Sequence, residues 1–107
     1  MNEEDGLGVG WREVLEDRVR LGGIKESTLA VYVSSGELFN DWLSMRGLSF
    51  DAVISGNSQT ASGLVGDYLN GYLRSAEVGY RRSVLKHLCA VFALCGRPLM
   101  DRPLIRT

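Results

Sequence analysis

The chain has 107 residues, of which 45 % are hydrophobic and 23 % are charged. This length and apolar content suit one domain with one hydrophobic core and exclude a disordered tail. Twelve Lys and Arg residues against 13 Asp and Glu residues give a formal net charge of −1. That balance excludes a uniformly basic nucleic-acid binder but leaves room for a local basic patch.

Targeting and redox features of the sequence point to the interior of a cell. No apolar run approaches the roughly 18–20 residues that span a bilayer, and residues 1–5 are too acidic for a signal peptide. Cys89 and Cys95 lie in one apolar stretch, which favours buried, reduced thiols over a disulfide. We therefore expect no membrane partner and a cytoplasmic (nucleoid-associated) protein, or a nuclear one in a eukaryote.

Apolar residues in the first half of the chain recur at helical rather than alternating spacing. After a flexible acidic arm at residues 1–8, a helix is predicted at Val9–Leu21, and Gly22-Gly23 ends it. A second helix is predicted at Ser27–Arg46, with Ser27 as its N-cap. Gly36 lies on the inward face of that helix and weakens it by about 1 kcal/mol relative to Ala. Its presence there indicates that another helix packs closely.

The second half of the chain is predicted to contain a connector, two helices and a tail. The connector, residues 48–60, carries turn residues and is pinned to the core by Phe50, Val53 and Ile54. Helices are predicted at Thr60–Leu73 and from Ser75 or Ala76 to Leu94, where Gly96 provides a cap.

The predicted architecture is an all-α, single-domain bundle of four to five helices. Its helical core spans residues 9–96, and residues 97–107 form an extended linker or tail.

Charge is distributed unevenly along the chain. Residues 1–17 carry a net charge of −5, whereas residues 71–107 contain seven Lys and Arg residues against two acids, for a net charge of +5. The basic third is therefore a candidate anion-binding surface, although an ordinary solvated helix face is an equally good interpretation of charge alone.

Motifs of catalysis are missing from the sequence. It contains no phosphate-binding loop, no dinucleotide-binding glycine pattern and no nucleophile elbow. The one histidine, His87, has no second His or Cys/Asp cluster at ligand spacing, so a metal site is not expected there. We expect no cofactor, no small-molecule substrate and no catalytic residue in this chain.

The fourth predicted helix carries the clearest functional signal. With Leu85 and Leu88 facing inward, Arg82 and Lys86 share one outward strip, and the strip of Ser83 and His87 lies beside it. Such a run of cationic and hydroxyl groups suits contacts with phosphates or a major groove. The structural alternative is a solvated face whose arginine stems cover the core, with Arg81 or Arg82 paired to Glu77.

The start of the second helix offers a smaller polar cluster. Lys25, Ser27 and Thr28 sit where free backbone amides are available to a phosphate, and Ser34 and Ser35 follow further along the helix. The alternative is that Ser27 or Thr28 simply caps the helix, which is the more common outcome.

The second helix also carries a family resemblance, in Thr28, Tyr32, Phe39, Trp42 and Leu43. These residues and their spacing resemble the N-terminal core-binding domain of tyrosine recombinases (phage integrases), a SAM-like four-helix domain. The resemblance extends over roughly Trp11–Leu104. It implies that the second and fourth helices clamp double-stranded DNA, that neighbouring protomers touch on the DNA, and that catalysis resides in a separate domain.

Two hypotheses follow from these observations. The first is a DNA-binding module for site-specific recombination and integration, which would hold a duplex through the following residues: Lys25, Ser27, Thr28, Ser34, Arg74, Tyr80, Arg81, Arg82, Lys86 and His87. The second is a helical protein-interaction domain, in which the acidic arm of one copy pairs with the basic region of another.

Overall fold

Residues 10–106, the part of the chain that the computed structural model describes, form five α-helices, one π-helical segment and no strand. The elements are α1 (Trp11–Arg20), α2 (Glu26–Ser44), α3 (Phe50–Ser55), α4 (Ser58–Asp67), the π-helical segment (Tyr68–Tyr72) and α5 (Val78–Leu94). The predicted all-α bundle is confirmed. The predicted acidic arm, residues 1–8, lies outside the described residues.

Helices α1 and α2 pack against each other at the one glycine in α2. A Cβ atom at Gly36 would lie 2.6 Å from two ring atoms of Trp11, so the indole occupies the space that a side chain would need. The expected close approach at Gly36 is therefore confirmed. Gly22 and Gly47 end the two helices with φ angles of 80° and 75°, a conformation that glycine adopts without strain.

The start of α2 differs from the prediction. Lys25, not Ser27, is the N-cap residue: its backbone is extended, and its carbonyl oxygen accepts a bond from the Leu29 amide at 2.9 Å. The prediction of Ser27 as the cap was wrong, because α2 begins at Glu26, one residue before this capping side chain. Ser27 therefore lies in the first turn, and α2 has no side-chain cap.

The predicted connector contains a helix of its own, α3. Ser49 caps it by accepting from the Ala52 amide at 3.1 Å, and Asn57 caps α4 by accepting from the Thr60 amide at 2.7 Å. Ser and Asn favour both turns and N-caps, so Asn57, one of the turn residues that suggested a connector, in fact caps a helix. Phe50 and Val53 are buried as expected.

The third predicted helix, Thr60–Leu73, divides into α4 and the π-helical segment. The wider turn shows in the bond from the Leu73 amide to the Tyr68 carbonyl, five residues back, at 2.9 Å. It buries Tyr68 and Leu69 while it leaves Tyr72 at the surface. Helix α5 then begins at Val78, two or three residues later than predicted.

Phe39 lies at the centre of the core. Its ring is 5.2 Å from that of Phe50, 5.1 Å from that of Tyr68 and 6.2 Å from that of Phe92, measured between centroids. These four rings come from α2, α3, the π-helical segment and α5, and all are buried. Edge contacts of this kind stabilise a core beyond simple burial. One aromatic cluster therefore joins four elements of the fold.

The tail after α5 is extended, as predicted, but it lies against the bundle. Arg97 donates to the Ile54 carbonyl at 2.9 Å, and Pro103 packs on Gly66. The Asn70 side chain then accepts from the Arg106 amide and donates to the Leu104 carbonyl, both at 2.7 Å. Residues 97–106 are thus held along α4 and the π-helical segment.

Candidate nucleic-acid interface

The exposed face of α5 displays two cations one turn apart. Arg82 and Lys86 are exposed, whereas Leu85 and Leu88 are buried, so the predicted outward strip is confirmed. The tail adds a third cation: Nη1 of Arg102 lies 3.7 Å from Sγ of Cys89, one turn beyond Lys86. We call Arg82, Lys86 and Arg102 the basic face.

The length of the basic face suits a row of phosphates. From residue 82 to residue 89 the helix rises about 10 Å. One DNA strand places a phosphate about every 3.4 Å along the duplex axis, so the face spans the rise of about three phosphates. In the sequence Arg102 contributes to the charge of the basic C-terminal third, but its local pattern does not relate it to α5. Its place beside α5 depends on how the tail folds back.

Arg81, unlike its neighbour Arg82, is buried. Only 4 % of this residue is exposed, because it shares the core side of α5 with Leu85 and Leu88. Its Nε donates to the Ala76 carbonyl at 3.1 Å, and its Nη1 donates to the Arg106 carbonyl at 2.8 Å. We expected Arg81 to contact DNA, but the structure turns it inward, where it ties the tail to the start of α5. Arg81 lies four residues before Leu85 and seven before Leu88, and this helical spacing predicts that it shares their buried side.

His87 connects α5 to α2. Its Nδ1 lies 2.8 Å from the Ser35 hydroxyl oxygen, and its ring is 5.9 Å from that of Tyr32. Burial lowers the pKa of His87 below 6.5, and the charge of Lys86 lowers it further. The neutral form is therefore favoured, and the imidazole contributes to packing between the helices. Ser35, one of the polar residues singled out on the second helix, is the partner.

The residues predicted to bind DNA on α2 are spread over about two and a half turns of the helix. Lys25 and Ser27 are exposed, Thr28 is half-buried and Ser34 is exposed. Lys25 lies ten residues before Ser35, or about 15 Å along the helix axis. The start of α2 is therefore far from the place where α2 contacts His87 of α5, and it is not part of the basic face.

The last two predicted residues flank the start of α5. Arg74 is exposed in the turn after the π-helical segment, and Tyr80 is about half exposed in the first turn of α5. Tyr80 lies near Tyr68, whose pKa is raised to about 12 by burial and then by nearby Tyr80, Tyr72 and Asp41. Neither arginine on α5 forms an ion pair with Glu77 among the described residues.

Other kinds of site find little support within residues 10–106. No three His, Cys, Asp or Glu side chains of this region come together as a metal ion would require. Both cysteines are half-buried free thiols, and burial raises the pKa of Cys95 to about 11. None of the helices in this region is both long enough and apolar enough to cross a bilayer.

Comparison of the chain with models of protein families, with curated protein sequences and with solved structures gave no match in any of the three.

Proposed function

We propose that this chain is a DNA-binding helical domain that holds duplex DNA through its basic face. The observation that carries the proposal is the alignment of Arg82, Lys86 and Arg102, two of them from α5 and one brought beside it by the tail. Ser83 is exposed next to this row and offers a hydroxyl group to a phosphate or a base edge. Contacts of this kind hold the backbone with little base readout.

The wider assignment comes from the resemblance to the core-binding domain of tyrosine recombinases. Under this proposal the chain serves DNA integration or recombination, the strand-cleaving residues lie in another domain, and copies of the chain meet on DNA. Of the residues that carry the resemblance, Phe39, Trp42 and Leu43 are buried. They support a common way of packing α2, so the DNA-binding assignment rests on the basic face. A cytoplasmic (nucleoid-associated) or nuclear location belongs to the same proposal.

The test is a titration of a blunt duplex with the full chain at several salt concentrations. Three phosphate contacts predict a slope of log K against log salt of about −3. The double variant Arg82→Ala/Lys86→Ala is expected to weaken binding at low salt and to make the slope less steep by about 2.

A matched control is available on α1. Arg18→Ala/Arg20→Ala removes the same charge from two exposed arginines outside the basic face. We expect this control to leave the slope close to that of the wild type. Equal losses in the two double variants would show that net charge, not the basic face, governs binding. Absence of duplex binding by the wild type at low salt would refute the proposal.

A protein-interaction domain is the second candidate, and a different surface favours it. Val31 and Leu38 on α2 and Met45, the residue that follows the helix, recur every seven residues and are all exposed. Apolar side chains in such a row are typical of a helix that packs against a partner. Sedimentation without DNA tests this function: a concentration-dependent oligomer that Leu38→Glu abolishes would support it, and a monomer at all concentrations would exclude self-association.

A further inference from the structure

A groove lies where the C-terminal tail packs against α4 and the π-helical segment. Its volume is about 1060 Å³, and its lining includes Trp42, Arg46, Asn70, Tyr72, Pro103 and Arg106. The basic face does not include any of these residues. The groove is therefore a second concave surface, with an aromatic and cationic character of its own.

Tyr72 is the outermost ring of an aromatic stack beside this groove. Its plane is 13° from that of Tyr68, with centroids 5.8 Å apart, and its centroid is 6.4 Å from that of Trp42. Tyr68 and Trp42 are buried, whereas Tyr72 is 58 % exposed. The π-helical turn thus supports the tyrosine from beneath and leaves much of its surface to solvent. A rigid, supported and exposed ring is a good platform for another flat ring.

Two arginines line the groove beside the platform. The Arg46 guanidinium lies 4.5 Å from the centroid of the Trp42 ring, the same ring that contacts Tyr72. Arg106 also lines the groove, and its backbone is held there by the Asn70 side chain and by Arg81. Guanidinium groups pair well with phosphate oxygens.

The groove also contains two carboxylates, those of Asp67 and Asp101. Their negative charge disfavours the binding of a simple anion such as inorganic phosphate. They are suitable acceptors, however, for the exocyclic amino groups that bases carry on their edges. An aromatic base joined to a phosphate therefore matches the groove better than either part alone.

We propose that this groove binds an unpaired nucleotide, with its base stacked on Tyr72 and its phosphate paired with Arg46 or Arg106. A free mononucleotide and an unpaired base at a DNA end share this chemistry. Binding of a DNA end rests on the proposed function, because the basic face would hold the adjoining duplex. Stacking of one base on an aromatic side chain predicts roughly a tenfold gain in affinity.

The experiment compares a blunt duplex with the same duplex carrying a short single-stranded overhang, and it titrates adenosine monophosphate separately. For the wild type we expect the overhang to bind roughly tenfold tighter than the blunt end. Tyr72→Ala should abolish this preference, whereas the matched variant Tyr72→Phe, which keeps the ring, should retain it. Arg82→Ala/Lys86→Ala should weaken both duplexes alike and leave their ratio unchanged. Circular dichroism verifies that each variant is folded.

The outcomes separate this proposal from the previous one. An overhang preference that depends on Tyr72 supports binding of a DNA end, and Tyr72-dependent binding of adenosine monophosphate alone supports a free nucleotide. The groove proposal is overturned if neither ligand responds to Tyr72→Ala, even when the blunt duplex binds. If the blunt duplex does not bind, the proposed function fails, while the mononucleotide titration still decides the role of the groove.

Discussion

Gly36 and Gly63 are both glycines inside helices, and we predict that alanine has opposite effects at the two positions. At Gly36 a Cβ atom would lie 2.6 Å from Cη2 and Cζ3 of Trp11 and 3.2 Å from Cε2 of Phe50. The indole has little freedom to retreat, because Trp11 is only 6 % exposed and its ring is 5.0 Å from that of Phe50. At Gly63 an added Cβ meets no atom within 4 Å.

The expected magnitudes follow from these distances. Overpacking of a core costs about 1–3 kcal/mol, and alanine returns about 1 kcal/mol of helix propensity. Because the clash at Gly36 is with a rigid buried ring, we expect Gly36→Ala to lower the free energy of unfolding by about 2 kcal/mol. Gly63→Ala should raise it by up to about 1 kcal/mol. For a domain of this size each kcal/mol shifts the Tm by roughly 4–8 °C.

Thermal and urea unfolding followed by circular dichroism measures both effects. The control is internal, since the two variants add the same methyl group to helix interiors that differ only in their surroundings. If Gly36→Ala melts at or above the wild-type temperature, the close contact between α1 and α2 does not constrain the core as described. A shift of the same sign in both variants would likewise contradict the argument from packing.

Three further predictions concern the tail, a cap and a histidine. Arg81→Ala should lower the free energy of unfolding by about 2 kcal/mol or more and expose the tail to limited digestion by chymotrypsin, because the carbonyls of Ala76 and Arg106 lose their guanidinium donor; Arg82→Ala, at an exposed position, should change stability by no more than about 0.5 kcal/mol. Lys25→Asp should stabilise α2 by about 1 kcal/mol in urea unfolding, since it supplies the missing cap, whereas Asn57→Ala should cost α4 about the same. The pKa of His87 is lowered from 6.5 in the folded state, so the contribution of this residue to stability should be complete above pH 6.5 and should decline as the pH falls below 6.5. The variant His87→Gln should lose less stability on acidification. An equal loss in the variant and the wild type would exclude His87 as the source.

Most of the fold follows from local patterns in the sequence. Apolar spacing identifies the buried face of α2, where Phe39, Trp42 and Leu43 lie in the core. Glycines at positions 22, 47 and 96 take positive φ angles and end the helices, as their conformational freedom predicts. The errors fall at helix starts, where Ser, Asn and Lys compete for the capping position within a few residues. Capping preferences differ by only about 1 kcal/mol, so tertiary packing can override them.

Less of the candidate site could be predicted from the sequence. The outward position of Arg82 and Lys86 could be predicted, because helical spacing places them on a different face from Leu85 and Leu88. The contact between Ser35 and His87 could not, because 52 residues separate the two in the chain. Arg102 likewise reaches α5 only because the tail packs back along the bundle.

Helical periodicity thus accounts for the all-α class and for the relative angles of side chains on each helix. It cannot position the tail, whose extended backbone has no period that relates it to α4 or α5. Bonds from the Asn70 side chain, 34 and 36 residues away in sequence, hold the tail in place. Those contacts form the groove beside Tyr72 and complete the basic face. The two candidate binding surfaces therefore depend on long-range packing, whereas the helices that carry them are determined by the local spacing of apolar residues.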